Sequence, residues 1–293
     1  MHRILPTLSS SDSDSSDTES LASSLQPTVV AYPDEEVLCL YLEENDHLYR
    51  IRKNNRIVYA RIFDGDVIPP DYRTDSYRIL LHLRKFPRWE EEWTTITVRR
   101  GAHGLESTLD EFKPHGLNLA KLDVSTAKFY NISDLSTVSR IGARVFRVKG
   151  DGEIWILKIA QFKHEIRYLQ QEVAIYSELS ASGFPLAPRF IGYAYEDTRE
   201  RTIGFLTEDI PGYPPGIRNL EECTRTIRLL HAFGFIHGDT NRYNFLITDK
   251  GAHVIDFEST VALADVDSEA ASREVDVLEV NLRDESGRGR KHG

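Results

Sequence analysis

The stretch His237-Gly-Asp-Thr-Asn-Arg-Tyr-Asn-Phe-Leu-Ile, followed by Val254-Ile-Asp-Phe-Glu, holds the side chains best suited to chemistry. Asn244 lies five residues after Asp239, and Asp256 lies 17 after it. A carboxylate can take a proton from a hydroxyl. A carboxamide and a second carboxylate offer the oxygen ligands that a hard cation such as Mg²⁺ requires. The set reads as phosphate-and-metal chemistry.

Upstream, Lys158 sits in the apolar run Trp155-Ile-Leu-Lys-Ile-Ala. Apolar neighbours on both sides imply a buried stem, and a buried ammonium needs a partner. A helical pattern follows, with Ile166, Leu169, Val173, Tyr176 and Leu179 at intervals of three and four. It offers Glu172, 14 residues after the lysine, with Glu165 and Glu178 as competitors. Before the lysine, Val145–Lys149 and Glu153–Ala160 flank Gly150-Asp-Gly as an antiparallel hairpin. Arg189–Tyr195 and Thr202–Thr207 read as strands. Leu220–Phe233 reads as a helix, with Asn219 and Glu222 as a capping box and Gly234 as its stop. A last helix is expected over about Ser268–Leu282.

In this order, from about residue 135, the chain resembles the protein-kinase-like fold, including aminoglycoside phosphotransferases and choline kinases. The His-Gly-Asp spelling, where eukaryotic kinases usually have His-Arg-Asp, leans toward the phosphotransferase branch. The longer string His-Gly-Asp-x-Asn-Arg-Tyr-Asn-Phe, with Ile-Asp-Phe-Glu and a late Glu-Ser-Gly-Arg-Gly, is similar to a family of fungal kinase-like proteins. The resemblance covers roughly half the chain.

The resemblance implies an ATP- and Mg²⁺-dependent phosphotransferase acting on a hydroxyl acceptor, as an atypical protein kinase or a small-molecule kinase. Asp239 would be the base, and Asn244 and Asp256 the metal ligands. His237 would hold the loop backbone rather than carry a proton. Lys158, paired with Glu172, would meet the phosphates. Glu208 and Ile210, in Thr207-Glu-Asp-Ile, would offer backbone to adenine. Gly142, in Ser139-Arg-Ile-Gly-Ala-Arg-Val-Phe, is the single glycine where the kinase phosphate loop has three. Asn241 stands where protein kinases usually carry a lysine. Glu258 replaces the glycine of the DFG motif and is either a second carboxylate for the metal or a surface residue. Arg242 is a partner of the substrate or of the acidic cluster, or an ordinary surface cation. The thin glycine loop and Asn241 leave a rival reading, a pseudokinase-type nucleotide-binding scaffold without phosphotransfer.

The expected architecture is α+β, a protein-kinase-like bilobal fold with a reduced C-terminal lobe and an N-terminal β-rich accessory region. Residues 1–28 read as a disordered acidic Ser-rich tail. Residues 29–125 read as the accessory region, 126–284 as the kinase-like domain and 285–293 as a basic flexible tail. In the accessory region, Leu48–Arg52 and Arg56–Phe63 flank a turn at Lys53-Asn-Asn. Tyr77–Lys85 reads as helix or strand, Trp93–Arg99 as strand, and Trp89 and Trp93 as core or interface anchors. The 37 residues after Asp256 read as too few for the usual peptide-docking lobe.

The chain has 293 residues, 40% hydrophobic and 28% charged, an ordinary globular composition. A net charge of −10 opposes nonspecific nucleic-acid binding. Two cysteines, Cys39 and Cys223, exclude a disulfide framework and fit a cytoplasmic or nuclear setting. No apolar run reaches the roughly 20 residues of a membrane span, so no membrane partner is expected. The N-terminal residues lack the apolar core of a signal peptide.

Overall fold

The computed structural model describes residues 34–287 and 289. The expected acidic tail, 1–28, lies outside the described residues, as do 288 and 290–293 of the expected basic tail.

The first sheet runs β1 (Glu35–Leu42), β2 (Asp46–Lys53), β3 (Arg56–Phe63), β4 (Thr95–Gly101) and β5 (Gly104–Leu109), in that spatial order. The β2–β3 turn places Asn54 and Asn55 at φ 51° and 61°. A tight hairpin of this hand needs two left-handed residues, and asparagine tolerates that region. β3 and β4 are parallel, so the chain must cross over between them. Helix α1 (Ser76–Leu83) lies in that crossover. Asp75 caps it by accepting the Arg78 amide at 2.9 Å, and it buries Ile79, Leu80 and Leu83. Trp89 and Trp93 are core residues, with ring centroids 5.0 Å apart and Lys53 Nζ 5.4 Å from the Trp93 ring. β5 had no counterpart in the sequence reading. Its alternately half-buried and exposed residues lack an apolar run.

The second sheet comprises β6 (Phe129–Asn131), β7 (Ser136–Arg140), β8 (Val145–Gly150), β9 (Glu153–Ile159), β10 (Phe190–Tyr195) and β11 (Thr202–Glu208). Its order is β6-β10-β11-β9-β8-β7. Helix α2 (Ile166–Ser182) ends at Gly183, in the left-handed conformation at φ 76°. Its Leu169, Val173, Tyr176 and Leu179 enter one core with Phe205 of β11 and with helix α3 (Leu220–Ala232).

After α3 come β12 (Phe235–Ile236), the hairpin β13 (Phe245–Thr248) and β14 (Gly251–Val254), and β15 (Val261–Ala262), which pairs with β12. The expected final helix is two, α4 (Ala270–Asp276) and α5 (Leu278–Arg283), separated at Val277. The expected capping box is also absent. Asn219 makes no side-chain cap bond to α3; its Oδ1 instead accepts the Gly216 amide at 3.2 Å, closing the turn before the helix. Among the described residues, no helix is long and apolar enough to cross a membrane.

The sheets meet through buried charge. Glu196, after β10, pairs with Arg50 of β2 and with Arg201 at 3.0 Å, and accepts the Tyr59 hydroxyl at 3.3 Å. All four residues are buried.

Candidate functional site

Lys158 lies on β9, paired across the sheet with Val145 of β8 and Phe205 of β11. Strand alternation aims its side chain toward α2, where its Nζ lies 2.6 Å from Glu172. The rival glutamates have other partners or surroundings. Glu165 accepts the amides of Gln161 and Phe162, and Glu178 is on a different face, beside Phe235 and Val261. Nζ also lies 2.8 Å from Asp256 and 3.0 Å from Glu258. Burial works against the ammonium, but the three carboxylates outweigh it and hold its pKa above the usual lysine range. Glu172, fully buried, is pushed up to about 7 by desolvation, with Lys158 opposing.

Asp256 adopts φ 69°, a left-handed conformation uncommon outside glycine. The next residue, Phe257, is buried in edge contact with Tyr176, centroids 4.9 Å apart. Its amide donates to Glu172 at 3.3 Å. Helix α2 therefore fixes both the lysine and the segment that carries Asp256.

The loop carrying Asp239 is held from several directions. Glu274 of α4 accepts the amides of His237 at 3.2 Å and Gly238 at 2.6 Å, and pairs with His231 at 2.7 Å. Burial would raise the Glu274 pKa, but these donors win and lower it. His237 is fully buried, and desolvation lowers its pKa. Its Nε2 donates to the Ile255 carbonyl at 3.2 Å and its Nδ1 accepts the Asp239 amide at 3.3 Å. Both ring nitrogens are committed to backbone. Gly238 sits at φ 80°, and a Cβ there would lie 2.3 Å from the Ser259 carbonyl. The His-Gly-Asp spelling follows from this close approach.

Asp239 Oδ2 accepts from the side-chain amides of Asn241 and Asn244, each at 3.0 Å. Asn244 Nδ2 also donates to the Asp239 carbonyl at 2.9 Å. With its nitrogen so occupied, Asn244 has its carboxamide oxygen to offer a cation. Asn241 is thus a clamp on Asp239. Arg242 lies over Tyr243, 5.8 Å from the ring centroid.

A cavity of about 300 Å³ is lined by Lys158, Glu172 and Asp256 together with Glu208, Asp209 and Ile210. Ile141, Val145, Ile156, Phe205, Leu246 and Ile255 give it apolar walls. Glu208 and Ile210, expected to offer backbone to adenine, both line this cavity. Gly142 is not in its lining, although Ile141 and Val145 are. The amides of Ile141 and Gly142 both donate to the Val145 carbonyl, at 2.9 and 3.1 Å. A second cavity, of about 400 Å³, opens on Asp239 between the loop and α4–α5, lined by Gly238, Asn241, Arg273, Val277, Asn281 and Asp284.

The oxygen donors suit a hard divalent cation. Among the described residues, Glu172, Asp256 and Glu258 place carboxylate oxygens within 4.8 Å of one another. Asp256 belongs both to that group and to the expected pair with Asn244.

Four residues escaped the sequence reading: Glu274, Arg144, Arg147 and Asn281. Arg144 lies 2.8 Å from Glu258 and 3.3 Å from Glu165. Arg147 grips Asp209 with two bonds, of 2.6 and 3.1 Å. Asn281 donates to Thr240 Oγ1 at 3.0 Å. Each partner is distant in sequence, and no spacing rule reaches it.

Residues 217–281 match the family model of the RIO domain (RIO1). RIO domains are an atypical protein-kinase-like family of ATP-binding phosphotransferases. The match runs from the turn before α3 to α5 and includes Asp239, Asn244 and Asp256. It supports the kinase-like superfamily, not the narrower aminoglycoside-phosphotransferase branch. No curated protein matches the chain.

Proposed function

We propose that this protein is an ATP- and Mg²⁺-dependent phosphotransferase with a bilobal kinase-like arrangement, transferring the γ-phosphoryl group to a hydroxyl. The carrying observation is a cleft in which Lys158 pairs with both Glu172 and Asp256, with Asp239, clamped by Asn244, lining a second cavity. Adenine would lie between the apolar walls, against the Glu208–Ile210 backbone. Lys158 would meet the phosphates. Asp256 and Asn244 would hold the magnesium ion, which supplies charge neutralisation at the transferring phosphoryl group.

Asp239 would accept the proton of the acceptor hydroxyl as its oxygen bonds to phosphorus. The bond from the γ-phosphorus to the bridging oxygen breaks, and ADP leaves with that electron pair. The acceptor would enter through the cavity of about 400 Å³ beside Asp239, a volume suited to a small molecule or a single side chain. A place in the cytoplasm or nucleus belongs to the same reading.

The rival is a nucleotide-binding scaffold without phosphotransfer, favoured by the locally bonded amides at Ile141 and Gly142. One pair of variants separates them. Asp239→Asn should lower phosphotransfer or ATP hydrolysis by about 100- to 10,000-fold while leaving the Mg-ATP thermal shift intact. Asp256→Asn should reduce the metal-dependent shift itself. A wild-type protein with a thermal shift but no turnover, against hydroxylated small molecules and a protein panel alike, would favour the scaffold.

A further inference from the structure

Gly142, the one glycine of the β7–β8 turn, does not line the cleft, and the same turn carries a cation, Arg144. Arg144 closes the β7–β8 turn, one residue before Val145, which lines the nucleotide cavity. The turn is braced from behind. Gln161 Nε2 donates to the Ala143 carbonyl at 2.9 Å, and Arg140 Nε to the Gly142 carbonyl at 3.1 Å.

From this turn the Arg144 guanidinium reaches the charged cluster at the end of the cleft. Its Nη2 lies 2.8 Å from Glu258 Oε1, the oxygen that Lys158 Nζ approaches at 3.0 Å. The two cations therefore flank one carboxylate oxygen. Nε lies 3.3 Å from Glu165. The remaining nitrogen, Nη1, is buried without a hydrogen-bond partner. A buried, unused guanidinium N–H is costly unless something comes to meet it. Charge adds a second argument. Lys158 and Arg144 are two cations among Glu165, Glu172, Asp256 and Glu258, so carboxylates exceed cations by two. A divalent cation would balance that excess and draw Asp256 and Glu258 toward itself.

We propose that Arg144 is the phosphate-binding residue of the turn, held by Glu258 while the cleft is empty and released to the ATP β- and γ-phosphates when Mg²⁺ engages the carboxylates. A guanidinium can bridge two phosphate oxygens with paired N–H bonds, and so does with one side chain what glycine amides do elsewhere. It also supplies positive charge that Asn241 does not. This inference rests on the nucleotide reading above, which names the cleft.

The test compares adenosine and Mg-ATP by calorimetry on the full-length chain, as wild type, Arg144→Gln and Arg144→Lys. Adenosine has no phosphate, so its affinity reports an intact cleft. Arg144→Gln should weaken Mg-ATP by about 10- to 100-fold and leave adenosine unchanged. Arg144→Lys should recover part of the loss, since it restores charge without the paired geometry. Equal Mg-ATP affinity in wild type and Arg144→Gln would overturn the proposal, as would equal losses for adenosine and Mg-ATP, which mark a packing role. A wild type that binds neither ligand would instead remove the nucleotide reading itself.

Discussion

The Glu274 carboxylate accepts the Gly238 amide at 2.6 Å, tying helix α4 to the loop that presents Asp239. The same carboxylate takes the His237 amide and His231. Glu274→Ala would leave these donors, the buried His237 amide among them, without their shared acceptor, and should destabilise the protein by about 2–4 kcal/mol in urea unfolding. The Glu274 pKa is lowered in the folded state. Its contribution is therefore present above the unfolded glutamate pKa and lost as pH falls through the folded value. Wild type should lose stability in that acid window more steeply than Glu274→Gln.

Glu172 has the opposite sign. Its folded pKa is raised to about 7. A raised carboxyl pKa favours the folded state at low pH, and that advantage fades as pH rises through about 7. Between the ordinary glutamate pKa and that value, wild-type stability should fall with pH relative to Glu172→Gln, whose side chain does not titrate. Parallel thermal-melt profiles for the two proteins would refute the assignment.

Gly238→Arg would restore the commoner kinase spelling and should still fail. The left-handed φ of 80° alone costs about 1–2 kcal/mol for a side-chain-bearing residue. The Ser259 carbonyl occupies the space of the new Cβ. A lower melting temperature and faster amide exchange across residues 237–241 are expected.

Glu196 is a carboxylate shared by Arg50 and Arg201 between the two sheets. Removing one partner of a buried ion pair strands the other. Glu196→Gln should cost about 3–5 kcal/mol by denaturant unfolding. Arg56→Ala, at the more exposed pair with Asp197, should cost at most about 1 kcal/mol.

Val277 lies at the break between α4 and α5, partly exposed in the cavity beside Asp239. Val277→Trp should fill that space and raise the KM for the acceptor. The Mg-ATP thermal shift should not change, because Val277 does not line the cavity that holds Lys158 and Asp256. A fall in ATP affinity instead would place the acceptor elsewhere.

Much was legible in the sequence because it is local. The 3.6-residue period marked α2 and α3, and the Gly-Asp-Gly turn marked the β8–β9 hairpin. The five-residue step from Asp239 to Asn244 spans one turn of loop, so their contact follows from chain geometry. The resemblance to kinases, rather than the helical pattern, favoured Glu172 over Glu165 and Glu178 as the partner of Lys158, and the two lie 2.6 Å apart. Signals that depended on competing bonds misled. Asn219 and Glu222 have the spacing of a capping box, yet a nearer donor, the Gly216 amide, captured the asparagine.

By itself, the sequence determined the types of the candidate site groups and the local elements that carry them, because spacing along a chain constrains only near neighbours. Tertiary structure alone decided how many carboxylates share Lys158, that Arg144 joins them, that Glu274 anchors the Asp239 loop, and why residue 238 must be glycine. Those are contacts between segments far apart in the chain, and burial sets their energies. No local pattern encodes which distant side chain will fill a desolvated site.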